Sequence, residues 1–125
     1  MVNVVSEIRS YRDLLVWQRA MDFSVHVYQV TSSFPSSEMY GLTNQMRRAA
    51  VSIPSNIAEG HMRTRSEFGH FLRIARGSLA ELETQLELAQ RIGYLPQSQH
   101  AELTTELSVI GKQLTNLTKK IDNKG

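Results

Sequence analysis

The sequence predicts an all-α fold, an up-down-up-down antiparallel four-helix bundle, on three observations. Four segments carry apolar residues at alternating steps of four and three, the period of a helix with one buried face. The breaks between them are brief and hold helix-stopping signals: Pro35, Gly60, and Gly93 with Pro96. No segment of useful length alternates with the period of a strand. Long helices joined by brief links run antiparallel in sequence. A chain of 125 residues suits a single domain, 1–125, with its core over about 11–121 and frayed ends.

Helix one is predicted over Tyr11 to Phe34, where Val16, Ala20, Phe23, Val27, Val30 and Phe34 make a heptad-like stripe. Trp17, Met21, Ser24 and Tyr28 form a second, semi-apolar row. Pro35 ends the helix, because the residue before a proline is pushed out of the α region. Ser36 or Ser37 is the expected cap of helix two, with Glu38 favourably placed near the positive end of the helix dipole. Helix two runs to about Glu59, and Gly60 suits a left-handed position just past its end. Thr64 and Glu67 have capping-box spacing at the start of helix three, about Arg65 to Ile92. Its stripe is Phe68, Leu72, Ala75, Leu79, Leu82, Leu86 and Ala89, with Phe71, Ile74, Ser78, Gln85, Leu88 and Ile92 beside it. Ser98 is the expected cap of helix four, whose stripe of Leu103, Leu107, Ile110, Leu114, Leu117 and Ile121 runs to about Ile121.

The chain is organised around Gln45 to Gly60. Small residues there (Ala49, Ala50, Ser52, Ser55, Ala58) let a neighbouring helix approach closely. Pro54 falls inside the same helical period; it has no N–H to give the Ala50 carbonyl and crowds it, a cost of roughly 3 kcal/mol or more in an ideal helix. The reading is a bent helix in which Ser52 or Ser55 meets the freed backbone group, Asn56 is buried and hydrogen-bonded, and Glu59 finds a partner. A site built on Asn56 and Glu59 is the alternative.

Ser52-Ile53-Pro54-Ser55-Asn56-Ile57-Ala58-Glu59-Gly60 resembles the signature of the four-helix-bundle 23S rRNA intervening-sequence protein family, whose relatives include the accessory protein of diversity-generating retroelements. Trp17-Gln18, Phe34-Pro35, Glu38, Tyr40-Gly41-Leu42, Gln45, Arg47-Arg48-Ala49, Ala75, Gly77-Ser78, Glu81-Leu82 and Gly93-Tyr94-Leu95 are similar to the family pattern, which spans about Tyr11 to Ile121. The resemblance implies a bundle fold and a cyclic homopentamer. It also implies a nucleic-acid partner, since the retroelement accessory proteins are basic and associate with nucleic acid and a reverse transcriptase.

Composition narrows the function. With no cysteine, disulfides and thiolate metal sites are excluded and a reducing compartment is permitted. The first residues lack a basic start followed by an apolar run, and no stretch approaches the roughly 20 apolar residues of a membrane span, so the expectation is cytoplasmic with no membrane partner. His26, His61, His70 and His100 fall in no metal-binding spacing; Glu59, His61 and His70 near one helix junction are read as ordinary loop and helix-face residues. There is no Gly-x-Ser-x-Gly elbow and no Gly-rich phosphate loop, so the expectation is a non-enzyme with no metal or other cofactor.

Net charge is only +2, but it is unevenly spread. Between Gly41 and Ala80 the arginines Arg47, Arg48, Arg63, Arg65, Arg73 and Arg76 face only Glu59 and Glu67; Glu81, Glu83 and Glu87 follow. Arginine carries a planar fork suited to phosphate, so these six are the candidate nucleic-acid-binding residues. The structural motif is Ser52, Pro54, Ser55, Asn56, Glu59 and Gly60. The competing reading has the arginines balance acids on neighbouring helices or subunits. Apolar rows left over beside the core stripes predict a homo-oligomer. The expected function is a non-enzymatic, homo-oligomeric bundle offering a basic surface to RNA or DNA as an accessory factor, with a protein–protein adaptor as the alternative.

Overall fold

The computed structural model describes residues 8–123. Its helices are α1 (Leu15–Thr31), α2 (Leu42–His61), α3 (Arg65–Arg91) and α4 (Gln97–Asn123), with short 3-10 turns at Tyr11–Asp13 and Ser36–Glu38. Each helix packs on its neighbours in sequence and α4 closes on α1, while the backbones of the diagonal pairs α1/α3 and α2/α4 stay more than 8 Å apart, Cα to Cα, among the described residues. This is the four-cornered bundle that the stripes predict. The fraying expected for 1–7 and 124–125 falls outside the described residues, whereas Asp122 and Asn123 belong to α4.

The stripes converge on one core. Phe23, Met46, Ile53, Ile57, Leu72, Leu82, Leu86, Leu103, Leu107, Ile110 and Leu114 are fully buried. Each contributes about 1.5–3 kcal/mol by leaving water. The second rows behave differently: Met21, Tyr28, Ile74 and Leu88 stay exposed, while Ser24, Ser78 and Gln85 are buried. Leu79, Leu117 and Ile121 are only partly buried, at the rim.

Several boundaries differ from the sequence reading. The first helix does not begin at Tyr11. Ser10 and Asp13 close a capping box around the 3-10 turn, and Leu14 is extended (φ −73°, ψ 124°), so α1 starts at Leu15. It ends at Thr31, short of Phe34. Neither Ser36 nor Ser37 caps α2; both lie in a 3-10 turn, and no side chain of Gly41, the residue before the helix, is available to cap it. Instead the Leu42 N–H donates to Glu38 Oε1 at 3.0 Å, and the Tyr94 hydroxyl donates to the other carboxylate oxygen at 3.0 Å. A Cβ on Gly41 would stand 2.8 Å from Glu38 Oε1, so a larger residue there would push that carboxylate aside. The thirty-eighth and ninety-fourth positions thus fasten the α1/α2 link to the α3/α4 link. Ser98 lies inside α4 rather than before it.

Gly60 takes no left-handed conformation; the positive φ among the described residues belongs to Gly93, which ends α3. Gly60 lies within α2 and against α3, where a Cβ would come 2.6 Å from Phe71 Cβ. Its role is close helix approach, at a crossing that a methyl group would force apart. Thr64 and Glu67 do form the expected capping box of α3.

Candidate nucleic-acid interface

Pro54 sits inside α2, buried, and the helix continues through it to His61. The Ala50 carbonyl that loses its helical donor is met from another helix. Ser24 Oγ of α1 lies 3.2 Å from Ala50 O and 2.9 Å from Ala20 O, sharing one proton between them. Neither Ser52 nor Ser55 fills this role, because each faces elsewhere. Ser52 Oγ lies 2.8 Å from Ser78 Oγ on α3, and Ser55 borders the α1/α2 groove. Asn56 is half-buried rather than buried: its Nδ2 donates to Ser52 O at 2.8 Å and Ser52 Oγ at 2.9 Å within its own helix. Glu59 is exposed and accepts from Arg63 Nη2 at 2.7 Å. The signature is therefore a packing device: α2 binds α1 through Pro54 and Ser24, and α3 through Ser52, Ser78 and Gly60.

The structure does not gather the six arginines into one patch. Arg47 and Arg48 lie near the start of α2 and Arg63 and Arg65 just beyond its end. At 1.5 Å of rise per residue that is about 20 Å of helix. Arg47 is fastened to α1: its Nε donates to Thr31 Oγ1 at 2.9 Å and its guanidinium lies 4.5 Å from the centre of the Tyr28 ring. Arg63 is paired with Glu59 and lies 3.9 Å from Glu67. Arg65 Nε donates to the Ile121 carbonyl at 3.2 Å, and Arg73 pairs with Asp122 at 3.1 Å. Both contacts reach from α3 to α4. Arg48 and Arg76 form no ion pair among the described residues.

What the structure does bring together is a basic strip on α3 and α4. A groove of about 430 Å³ between them is lined by Arg76, Leu79, Ala80, Glu83, Ser108, Gly111, Lys112, Thr115 and Asn116. Arg65 and Arg73 continue it on α3, and Lys119, seven residues beyond Lys112, continues it on α4. Sequence reasoning missed the lysines because they lie some forty positions from the arginines; their spacing of seven, one heptad on the same helix side, was the available signal. It also missed the partners of His26, whose Nδ1 lies 2.9 Å from Glu106 and whose Nε2 lies 3.7 Å from Glu102, joining α1 to α4.

Two further grooves flank α2. Between α1 and α2, Tyr11, Trp17, Met21, Val25, Tyr28, Val51, Pro54 and Ala58 line an apolar groove of about 420 Å³. Arg12 lies over the Tyr11 and Trp17 rings at one end, and Arg47 over Tyr28 at the other. Between α2 and α3, Tyr40, Asn44, Gln45, Arg48, Ala49, Ser52, Ser78 and Glu81 line a polar one of about 480 Å³.

Among the described residues, three ionisable groups are held away from their ordinary values by hydrogen bonds. The Thr64 N–H, then its hydroxyl, hold Glu67 below the usual carboxylate range. The N–H groups of Arg9 and Ser10 do the same for Asp13. The bond to Glu38 pushes the Tyr94 phenol up. Among the described residues no three His, Asp or Glu side chains are placed to hold a metal ion; His61 and His70 instead meet the rings of Phe68 and Phe71 edge-on. No helix among them is long and apolar enough to cross a membrane.

Fold and surface define a small antiparallel helical bundle with a proline-bearing second helix and charged outer grooves. The chain belongs to the 23S rRNA-intervening sequence protein family, which it matches over residues 12–116. It is similar to a crystal structure of a protein with unknown function from the S23 ribosomal protein family of Bacteroides thetaiotaomicron VPI-5482. That likeness has 25% sequence identity and a TM-score of 0.78, over 84% of this chain and 96% of the other. No curated protein matches the chain.

Proposed function

We propose that the chain is a non-enzymatic, homo-oligomeric accessory protein that offers the α3/α4 basic strip to the phosphates of RNA or DNA. The observation that carries this reading is Arg76 and Lys112 in one groove, beside the hydroxyl and amide groups of Ser108, Thr115 and Asn116 and continued by Arg65, Arg73 and Lys119. Glu83 and Asp122 are the acids within it. Arg73 and Asp122 are each about half exposed, so their pair is worth little and yields readily to a phosphate. This strip replaces the six-arginine patch: Arg47 holds two helices together, and Arg63 is already neutralised by acids on either side.

The α1/α2 groove supports self-association. Met21, Val25, Tyr28 and Val51 are each 40% or more exposed around it, and an apolar patch of that kind marks an interface. A closed ring, a pentamer by the family resemblance, repeats the basic strip around its axis, so weak contacts add by multivalency. The test is fluorescence anisotropy of labelled single strands and duplexes at low and raised salt. Binding through the strip is expected at low salt, itself blind to base, falling with a slope of about −0.7 per phosphate neutralised on single strands and about −0.9 on duplex DNA. No binding at low salt overturns the reading and leaves the apolar groove as the docking surface of a protein–protein adaptor.

A further inference from the structure

We propose that the polar groove between α2 and α3 holds one unpaired guanine of a single-stranded nucleic acid, with Glu81 on the base edge, Tyr40 against its face and Arg48 on the neighbouring phosphate. The inference rests on the nucleic-acid reading and names what a second surface would select.

The groove is built from both helices. Asn44, Arg48 and Ser52 recur at steps of four on one side of α2, and Ser78 and Glu81 face them from α3. Ser52 and Ser78 satisfy each other across the floor at 2.8 Å. The groove, about 480 Å³, falls within the roughly 300–1,000 Å³ of small-ligand sites. Its functional groups are open. Arg48 and Glu81 line the same space, yet neither makes a hydrogen bond or ion pair among the described residues. Tyr40 is 94% exposed at the mouth, the most exposed large apolar-bodied side chain described.

Charge selects the ligand class. A phosphate backbone alone gains from Arg48 and is repelled by Glu81. An acidic peptide meets the same conflict, and a basic one the reverse. The pair asks for a molecule with an anionic group at one end and N–H donors at the other, and the exposed ring asks for a flat face between them. A nucleotide within a strand has all three, since unpaired bases are read by stacking on aromatic rings and by hydrogen bonds along their edges. Among the bases, guanine presents N1–H and an N2 amino hydrogen side by side, which match the two oxygens of one carboxylate. Adenine and cytosine set a ring-nitrogen acceptor beside their amino donor, so one carboxylate oxygen would face a lone pair. Uracil has one N–H between two carbonyls. The side-chain amides of Asn44 and Gln45 supply donors for the O6 and N7 acceptors that remain. The arginine fork matches the phosphate.

The experiment measures anisotropy of the full chain with a short labelled uridine strand carrying one central guanosine. Matching strands carry adenosine or inosine at that place, and deoxy versions separate RNA from DNA. At physiological salt the guanosine strand is expected to bind about tenfold tighter than the adenosine strand, the discrimination of one bidentate base contact. Inosine, which lacks the N2 amino group, is expected to lose most of that. Glu81→Ala abolishes the preference without weakening the adenosine strand, and Tyr40→Ala weakens every strand; both side chains are exposed, so melting curves stay unchanged. Guanosine monophosphate competes for the preference and adenosine monophosphate does not. Salt-dependent binding with no base preference, a preference that survives Glu81→Ala, or equal competition by both nucleotides overturns the guanine site and leaves the basic strip standing. Absence of binding by any strand at low salt overturns both.

Discussion

Helix α2 presents two contrasting sides. Toward α1 it is dry and committed: Pro54 is buried, Ser24 covers the carbonyl the proline exposes, and Arg47 is tied to Thr31 and Tyr28. Toward α3 it begins tight, at Gly60 and the Ser52–Ser78 contact, then opens into a polar groove where Arg48 has no ion-pair partner among the described residues. Arg47 and Arg48 are adjacent in sequence and opposite in role. About 100° of helical turn separates consecutive residues, so a run of like residues on one helix is divided between neighbours rather than pooled.

The largest effect expected on this contrast comes from charging the dry side. Met21→Glu with Val51→Glu places two like charges in the apolar α1/α2 groove, and light scattering should report monomers for the variant against the oligomer proposed for the wild type. Both positions are about 40% exposed, so circular dichroism of the variant should stay helical.

The next effect tests the proline repair. Ser24→Ala strips the cross-helix donor from Ala50 O and is expected to cost about 1–3 kcal/mol in chemical denaturation, the usual loss when a buried acceptor goes unmet. In a Pro54→Ala background residue 54 regains its N–H, so the same substitution should cost close to nothing. Equal losses in both backgrounds would mean that Ser24 acts only through Ala20 or packing.

Arg47→Ala against Arg48→Ala sharpens the comparison directly. The first removes a part-buried hydrogen bond and a cation–π contact and is expected to cost about 1–2 kcal/mol. The second, at an exposed position, should stay within about 0.5 kcal/mol of wild type.

The smallest expected effect is at the α3 start. Glu67 has its folded value lowered by Thr64, so the capping box contributes above the group's ordinary unfolded value near 4.5 and is lost as pH falls through the lowered folded value. Thr64→Ala, which removes the hydroxyl but keeps the backbone N–H, should therefore lower stability slightly at neutral pH, partly flatten the acid limb of the stability profile and change little below it. At the other extreme, the bond from Tyr94 to Glu38 is present below the ordinary phenol value and lost as pH rises through the raised one.

Legibility in the sequence followed the reach of each interaction. The four apolar stripes, the interior Pro54 and the Thr64–Glu67 box were readable because all three are patterns within a few residues. Ser24 was not, because its partner Ala50 lies 26 positions away and nothing local marks it. Capping of α2 was misread for the same reason: serine is the usual local cap, but Glu38 supplies the oxygen and Tyr94 of a distant link steadies it. The Ser10–Asp13 box has legible spacing, but the apolar stripe begins only at Val16 and does not separate a 3-10 turn from the first turn of a helix. The arginines were grouped by sequence position, yet a 20-residue helix is about 30 Å long, and its two ends carry different neighbours. The basic strip draws on two antiparallel helices and needs the fold to be seen.

The proposed division of the surface into a binding strip and a structural side rests on the α3/α4 groove. The most direct measurement is the salt dependence of single-stranded RNA binding by wild type, by Arg76→Ala with Lys112→Ala, and by Arg47→Ala. The double variant is expected to weaken binding and to shallow the log–log salt slope by about 1.4, two phosphates at about 0.7 each, while Arg47→Ala keeps the wild-type slope. An unchanged slope in the double variant, or an equal loss in Arg47→Ala, would contradict it.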